Sequence, residues 1–363
     1  MYAVLFADSG LSEAGISSLF ALWSFTAFAL EVPSGVWADR FSRRALLCVA
    51  PLLTGAGFAL WTFLPGYASF AAGFVLWGAG SALRSGALQA LVHEGLTGAG
   101  AADAYARLIG RSQALGTTAA LAATAAAGPL LGAGGYRAVG LASIAVTVLT
   151  ALAALRLPER RRGPAEEEPG YRALLRDALT EARHEPGVAR MLAVVSLLAG
   201  AAALDEYVPL LARATGVSTP LVPVLVLLVT AGATAGGWLA GRGMRWAPAA
   251  PAAAGLCLAA GAGTASGHPA GLLAVAVAFG VFDWAGAAAD ARLQELLGDR
   301  TRATVTSLAG LGSEAAALLL FGLWALGSGW AGPAPLFAVA GLPFLAGALL
   351  LWRCNISGRP RHQ

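Results

Sequence analysis

Long apolar segments without charge are the feature that most restricts the fold of this sequence. Residues 45–64 contain no Asp, Glu, Lys or Arg. As a helix rising 1.5 Å per residue, a segment of this length matches the hydrocarbon core of a bilayer, about 30 Å thick. Lipid offers no partner to backbone polar groups, so such a segment crosses as a helix. Hydrophobic residues make up 57% of the chain, and we therefore expect an all-α, multi-pass membrane protein.

Eleven apolar segments, bounded by Gly, Pro or charged residues, are predicted to span the bilayer. They cover residues 16–38, 45–64, 67–91, 106–131, 139–157, 188–211, 221–240, 247–264, 271–291, 303–327 and 335–352. The preceding MYAVLFA is too short to cross and lacks the features of a signal peptide. We interpret it as the outer end of a first helix whose beginning is missing.

The distribution of arginine predicts the orientation. All 24 basic residues are Arg. If residues 39–44 are cytosolic, alternation of the loops places every Arg except Arg84, Arg137 and Arg213 on that same side. The positive-inside rule then makes the central polar segment and the C-terminus cytosolic. An Ala- and Gly-rich chain with Arg as its only basic residue suggests a GC-rich bacterial genome, so we expect a bacterial-type plasma membrane.

Several functions are disfavoured by what the chain lacks. Without lysine it can complete neither a P-loop nor a Schiff base. Cys48, Cys257 and Cys354 form no CxxC pair, so neither a zinc site nor a disulfide framework is predicted. No predicted span carries a His-rich cluster or a nucleophile with its base. We therefore expect no enzyme, no cofactor and no nucleic-acid partner.

The charged segment GVWADRFSRR at residues 35–44 has a weaker second copy. GWLAGRGMRW at residues 237–246 repeats Gly, Ala, Arg and Arg at the same offsets, and each copy follows the second helix of its half. The pattern predicts two parallel repeats of six helices. The expected parts are an N-terminal bundle (1–155), a cytosolic central loop (156–187) with an amphipathic helix at Tyr171–Arg183, a C-terminal bundle (188–352) and a cytosolic tail (353–363).

GVWADRFSRR resembles the loop between helices 2 and 3 of the major facilitator superfamily (MFS) of secondary transporters. That family signature reads G-x-x-x-D-R-x-G-R-R, and Ser42 stands at its second Gly. The central loop, the second copy and RLQELLGDRTRATVTSL at residues 292–308 extend the resemblance over the whole chain. GPLLG at 128–132 is similar to a Gly-Pro motif of bacterial drug/proton antiporters, although the surrounding glycines are out of register. The resemblance implies two six-helix bundles around a cavity that opens alternately to each side, in a monomer.

The signature loop supplies five candidate gating residues: Gly35, Asp39, Arg40, Arg43 and Arg44. The resemblance implies that Asp39 lies against the cytosolic start of helix 11, where a carboxylate meets the positive end of the helix dipole. This contact would close the inner side of the cavity. The arginines are expected to hold the loop beside anionic headgroups.

Charges within the spans are candidate coupling residues, because a charge at bilayer depth costs about 2.5–3.5 kcal/mol on insertion scales. Glu31 and Glu314 are either hydrogen-bonded for packing or active in coupling and gating. Asp283 lies near mid-membrane and either takes a proton, contacts substrate or forms a structural ion pair. Arg84 is either its counter-charge or a contact for an anionic substrate.

Secondary candidates are Asp205, Glu206, Asp290 and Arg111. The pair Asp205–Glu206 is most simply explained as solvated by water on the extracellular side. Asp290 follows Asp283 on the same helix face. We predict a secondary transporter that exports a small organic molecule in exchange for protons. Uptake by symport or uniport, and a non-transporting membrane scaffold or sensor on the same fold, are the alternatives.

Overall fold

The computed structural model describes residues 1–159, 186–240, 249–344 and 348, except 99, 102–103 and 298. The prediction of an all-helical protein is confirmed, since the described residues form helices and turns without a strand. The chain divides into two compact units, chiefly Val4–Glu168 and Pro169–Gln363. The predicted helix Tyr171–Arg183 and most of the second signature copy lie outside the described residues.

Five helices are described in the N-terminal unit. They are α1 (Tyr2–Asp8), α2 (Glu13–Arg40), α3 (Arg43–Phe63), α4 (Tyr67–Gly98) and α5 (Tyr105–Ala154). Helix α5 covers two predicted spans. It is broken between them, because Gly134 and Gly135 leave helical geometry and Gly135 has φ +62°, a value that favours glycine. We call its parts α5a (105–133) and α5b (136–154).

The described part of the C-terminal unit contains seven further α-helices. They are α6 (Pro186–Ala201), α7 (Val208–Ala214), α8 (Val222–Trp238), α9 (Ala250–Ala265), α10 (Gly271–Leu296), α11 (Asp299–Gly327) and α12 (Pro333–Ala340). The predicted span 188–211 is interrupted, because a 3₁₀ segment, Ala202–Tyr207, separates α6 from α7.

Seven described helical segments are long and apolar enough to cross a membrane. One of them, Arg107–Ala154, contains both predicted spans of α5. Two apolar helices, Ala250–Ala265 and Pro333–Phe344, are shorter. Helix α4, which carries Arg84 in its middle, is not among the seven. Where they are described, the predicted segments therefore form mainly helices, but length and composition do not recover all eleven as full-length spans.

Aromatic rings and close helix contacts form the core of the N-terminal unit. Nine rings from α1 to α4 pack edge-on, tilted or stacked, as in the parallel pair Phe74 and Trp77 at 6.0 Å. The set is Tyr2, Phe6, Phe20, Trp23, Phe58, Trp61, Phe70, Phe74 and Trp77. Short α1 is tied to this unit by these rings and by Tyr136, whose hydroxyl donates to Asp8 at 2.5 Å. Glycine brings α3 against α4, since a Cβ on Gly80 would lie 2.6 Å from the Ala50 carbonyl oxygen.

Small residues also set the packing of the C-terminal unit. A Cβ on Gly232 or Gly236 of α8 would collide with the backbone of α10 at Ala276 or Gly280. The spacing of four between the two glycines places them on one face, as in close helix pairs of other membrane proteins. Helix α11 packs on α6 through Gly200 and Gly312.

Candidate functional site

The turn between α2 and α3 is shorter than predicted. Asp39 and Arg40 belong to α2, and Arg43 and Arg44 begin α3, so the turn itself is Phe41 and Ser42. Ser42 is the N-cap of α3 and its hydroxyl accepts from the Ala45 N–H at 3.1 Å. Serine is favoured at this position because its side chain satisfies a free backbone donor. The serine that departs from the family signature therefore starts the next helix.

Arg43, at the start of α3, is buried. Its side chain is 7% exposed, and its Nη1 lies 2.6 Å from Oε2 of Glu94 in the last turns of α4. The contact is an ion pair rather than an aligned hydrogen bond. Arg44, the next residue, is exposed. The two arginines, equivalent in the sequence prediction, thus have different roles: Arg43 connects α3 to α4, and Arg44 faces outward.

Glu159 binds the same turn from beyond α5b. Its Oε2 accepts from the Ser42 hydroxyl at 2.6 Å and its Oε1 from the Arg44 backbone N–H at 3.3 Å. Partial burial raises the pKa of Glu159. The two hydrogen bonds above, a third from the Arg43 backbone N–H and the positive charge of Arg44 lower the pKa by more than burial raises it, so the net pKa is below its usual 4.5. Glu159 therefore stabilises the N-terminus of α3 as an anion.

Sequence reasoning missed both acidic partners of the turn. Glu94 lies near the end of a predicted span and Glu159 directly after one, in LPERRR. An acidic residue at each cytosolic helix end, opposite an arginine-rich loop, was the available signal. It was weak, because the contacts join residues as far as 117 positions apart.

Four predicted residues of α2 lie outside what the structure describes at side-chain level. Glu31, Gly35, Asp39 and Arg40 are in the helix, but their side chains are not among the described ones. The contact of Asp39 with helix 11 would also join the two units. A gating role for these residues remains a prediction.

Three predicted carboxylates of the C-terminal unit are linked electrostatically through Asp205. Asp205 and Glu206 lie on the 3₁₀ segment between α6 and α7, and Asp283 lies in the middle of α10. Asp205 is within electrostatic reach of both Glu206 and Asp283. Asp205 and Asp283 are solvent-accessible residues, although many protein atoms surround the Asp205 carboxyl group. The broken helix thus places Asp205 within electrostatic reach of a carboxylate in the middle of α10, an arrangement that spacing in sequence did not reveal.

The other charged candidates lie apart from this cluster. Asp290 is exposed two turns further along α10, and Arg111 is exposed on α5a. Glu314 is half-buried on α11, between the positions where Gly312 and Ala316 contact α6. The suggested pairing of Arg84 with Asp283 would join the two units and remains a prediction.

Arg84 lines a cavity of about 370 Å³ within the N-terminal unit. Its walls are α3, α4 and the end of α5b. Polar lining comes from Thr54, Ser81, Thr147 and Thr150. In the described part of the chain, no group of three His, Cys, Asp or Glu residues is arranged to hold a metal ion.

Comparison with known proteins gives a family match and similar folds. A profile described as "Major Facilitator Superfamily" matches residues 1–271. The structure of the nucleoside transporter NupG is 12% identical with a TM-score of 0.73, covering 99% of this chain and 94% of that one. A mutant of NupG gives a TM-score of 0.75 at 12% identity, covering 98% and 94%.

A third similar structure is a bacterial homolog of the human lysosomal transporter Spinster, inward-facing and unoccupied. It is 17% identical with a TM-score of 0.63, covering 97% of this chain and 93% of that one. At these identities the likeness concerns the fold. No curated protein matches the chain.

Proposed function

Because the chain belongs to the Major Facilitator Superfamily, we propose that this multi-pass transporter exports a small organic molecule in exchange for protons. Membership and the two-bundle fold agree with the sequence prediction. The particular likeness to drug/proton antiporters is a proposal, since the similar structures above are a nucleoside transporter and a Spinster homolog. Nucleosides therefore join drugs and dyes as candidate substrates.

The observation that carries proton coupling is the carboxylate cluster of the C-terminal unit. Asp205 is close enough to Glu206 and Asp283 for their charges to repel. Repulsion between carboxylates is relieved when one of them binds a proton or contacts a cation, so proton or cation binding is linked to the local geometry of the cluster. The cluster lies on an interrupted helix, and transporters often build substrate and ion sites at such interruptions.

We propose that the turn at residues 41–44 belongs to the cytosolic gate. Arg43 with Glu94 and Ser42 with Glu159 tie α3, α4 and α5b together at one end of the unit. Asp39, Gly35 and Arg40 would add the contact to the other bundle. The distribution of arginine supports placing this end, the central segment and the C-terminus in the cytosol of a bacterial-type plasma membrane. The proposed working form is the monomer.

Transport by the purified chain in proteoliposomes tests the coupling. An imposed pH gradient should drive one member of a panel of nucleosides, cationic dyes and drugs against its gradient, and a protonophore should abolish this. Asp283→Asn should abolish the gradient-driven flux but keep substrate exchange at equal pH. Gradient-driven flux in Asp283→Asn at the wild-type rate would refute the assignment of Asp283.

Each alternative function gives a different result. Symport moves substrate in the same direction as the protons, and uniport is insensitive to the protonophore. A scaffold or sensor on the same fold gives no flux for any member of the panel, although the protein is correctly inserted. Reversing the imposed gradient separates export from uptake, provided that the orientation in the liposomes is measured by protease access to the central segment.

A further inference from the structure

The cavity around Arg84 lies within one unit of the protein. Its lining residues come from α3, α4, α5b and the residue Leu157 that follows α5b, all in the N-terminal unit. On α4 the residues Trp77, Ser81, Arg84 and Leu88 face it, at spacings of three and four that form one side of a helix. On α5b the lining runs from Thr147 to Ala154, which corresponds to about 10 Å of helix, and Leu157 continues it.

Arg84 is a cation without an anion in the described part of the structure. No ion pair or hydrogen bond from its guanidinium to a described residue is present, and its side chain is exposed, hence accessible. It lies in the middle of α4, within a segment that the sequence predicts to span the bilayer, where a charge is costly unless it is paired. Five N–H donors in a rigid fork suit the paired oxygens of a phosphate or carboxylate.

Three of the four hydroxyl groups around Arg84 already donate within their own helices. Thr54, Thr147 and Thr150 each donate to a carbonyl of their own helix, at 3.3, 2.7 and 2.8 Å. Their protons are therefore already used, while the Arg84 guanidinium and the Ser81 hydroxyl have donors to offer. A ligand at this point must accept hydrogen bonds and carry negative charge.

The end of the cavity beyond Arg84 is apolar. Leu47 and Ala154 are buried in a cluster, against which Leu88 and Leu157 pack, and all four line the cavity. A cavity of about 370 Å³ is at the lower end of the range for small-ligand sites. It therefore accommodates a charged head and a short apolar group rather than a bare ion.

We propose that this cavity binds an anionic amphiphile, whose phosphate or carboxylate head pairs with Arg84 and whose apolar part lies against the leucine cluster. The site is separate from the carboxylate cluster proposed for proton coupling and does not depend on transport. The ligand comes either from the lipid bilayer or from solution, and these two sources share the same chemistry.

Binding of octyl phosphate to the full chain in phosphatidylcholine nanodiscs, measured by calorimetry, tests the proposal. Wild type should bind one molecule saturably, and octanol should not compete. Arg84→Gln should weaken binding by at least about tenfold, the loss of charge-assisted hydrogen bonds. Arg84→Lys keeps the charge without the forked guanidinium, so its affinity for octyl phosphate should lie between those of wild type and Arg84→Gln. Arg107→Gln removes an exposed arginine outside the cavity and should bind as wild type.

A second variant covers the case in which Arg84→Gln fails to fold. Thr150→Trp fills the cavity without removing its charge and should also weaken binding, with an unchanged melting temperature. Wild-type affinity in Arg84→Gln or in Thr150→Trp, or octanol binding as tightly as octyl phosphate, would overturn the proposal. Native mass spectrometry identifies the source. An anionic phospholipid retained by wild type and lost from Arg84→Gln supports a lipid, whereas octyl phosphate binding without retained lipid supports a dissolved amphiphile.

Discussion

Neutralising Glu94 should destabilise the protein through Arg43. The Arg43 side chain is 7% exposed and the Glu94 side chain 34% exposed, with 2.6 Å between Nη1 and Oε2. Removing one partner of a fully buried pair costs about 3–5 kcal/mol, and an exposed pair contributes about 0–1 kcal/mol. Because water reaches one partner and not the other, we expect Glu94→Gln to lower the free energy of unfolding by about 1–2 kcal/mol.

A double-mutant cycle separates this pair from its surroundings. Wild type, Glu94→Gln, Arg43→Gln and the double variant would be unfolded reversibly in mixed micelles. Because the two side chains are in contact, their coupling energy should be at least about 0.5 kcal/mol. Arg44→Gln is the matched control, since it removes the same charge from the next residue, which is exposed. It should change stability by less than about 0.5 kcal/mol.

Two results would show that the reasoning about Arg43 is wrong. The first is a coupling energy indistinguishable from zero, which would mean that the ion pair contributes nothing beyond its separate side chains. The second is an equal effect of Arg44→Gln and Arg43→Gln, which would mean that burial does not distinguish the two arginines. High salt provides a further check, because screening weakens an exposed pair more than a buried one.

Three further predictions concern the turn, the helix packing and the gate. The pKa of Glu159 is lower in the folded protein than its usual 4.5, so its stabilisation is present above pH 4.5 and is lost as the pH falls through the pKa of the folded state. The melting temperatures of wild type and Glu159→Gln should therefore differ most at neutral pH and converge in acid. A difference that does not change with pH would contradict this. Gly236→Ala places a methyl group against the Gly280 carbonyl and should lower the free energy of unfolding by about 1–3 kcal/mol. A methyl group at Gly237 meets nothing within 4 Å, so Gly237→Ala should not destabilise the protein. Equal unfolding midpoints for the two variants would exclude the close contact. Asp39→Asn should leave membrane insertion intact and reduce the maximal flux in proteoliposomes, and unchanged flux would remove Asp39 from the gate.

The helices follow from the sequence more reliably than their ends do. Apolar runs of about twenty residues predicted helices because lipid leaves the backbone no other partner. Their ends depend on single residues that the runs do not reveal. Ser42 caps α3 and shortens the predicted loop, and Gly135 takes a positive φ that breaks α5. The break at Ala202–Tyr207 lies inside a predicted span, and Asp205 and Glu206 were its only local sign, because the span as a whole is apolar.

The candidate site was predictable as a set of residue types and not as a set of contacts. The arginine-rich turn and the intramembrane carboxylates were conspicuous because charge is rare in this chain, at 12% of residues. Their partners were not, because Glu159 lies 117 positions from Ser42 and Asp205 lies on a different helix from Asp283. Burial separates Arg43 from Arg44, and no one-dimensional pattern distinguishes two adjacent arginines.

The sequence by itself determined that this chain is a helical membrane protein of the transporter family with a charged turn after its second helix. Those properties depend on local composition, because each segment separately has to avoid exposing polar groups to lipid. Only the tertiary structure decided that Arg43 pairs with Glu94, that Glu159 holds the start of α3, and that Arg84 lines a cavity. Such contacts depend on how helices distant in sequence pack together, and small residues such as Gly80 and Gly236 allow that packing without specifying it in the sequence pattern.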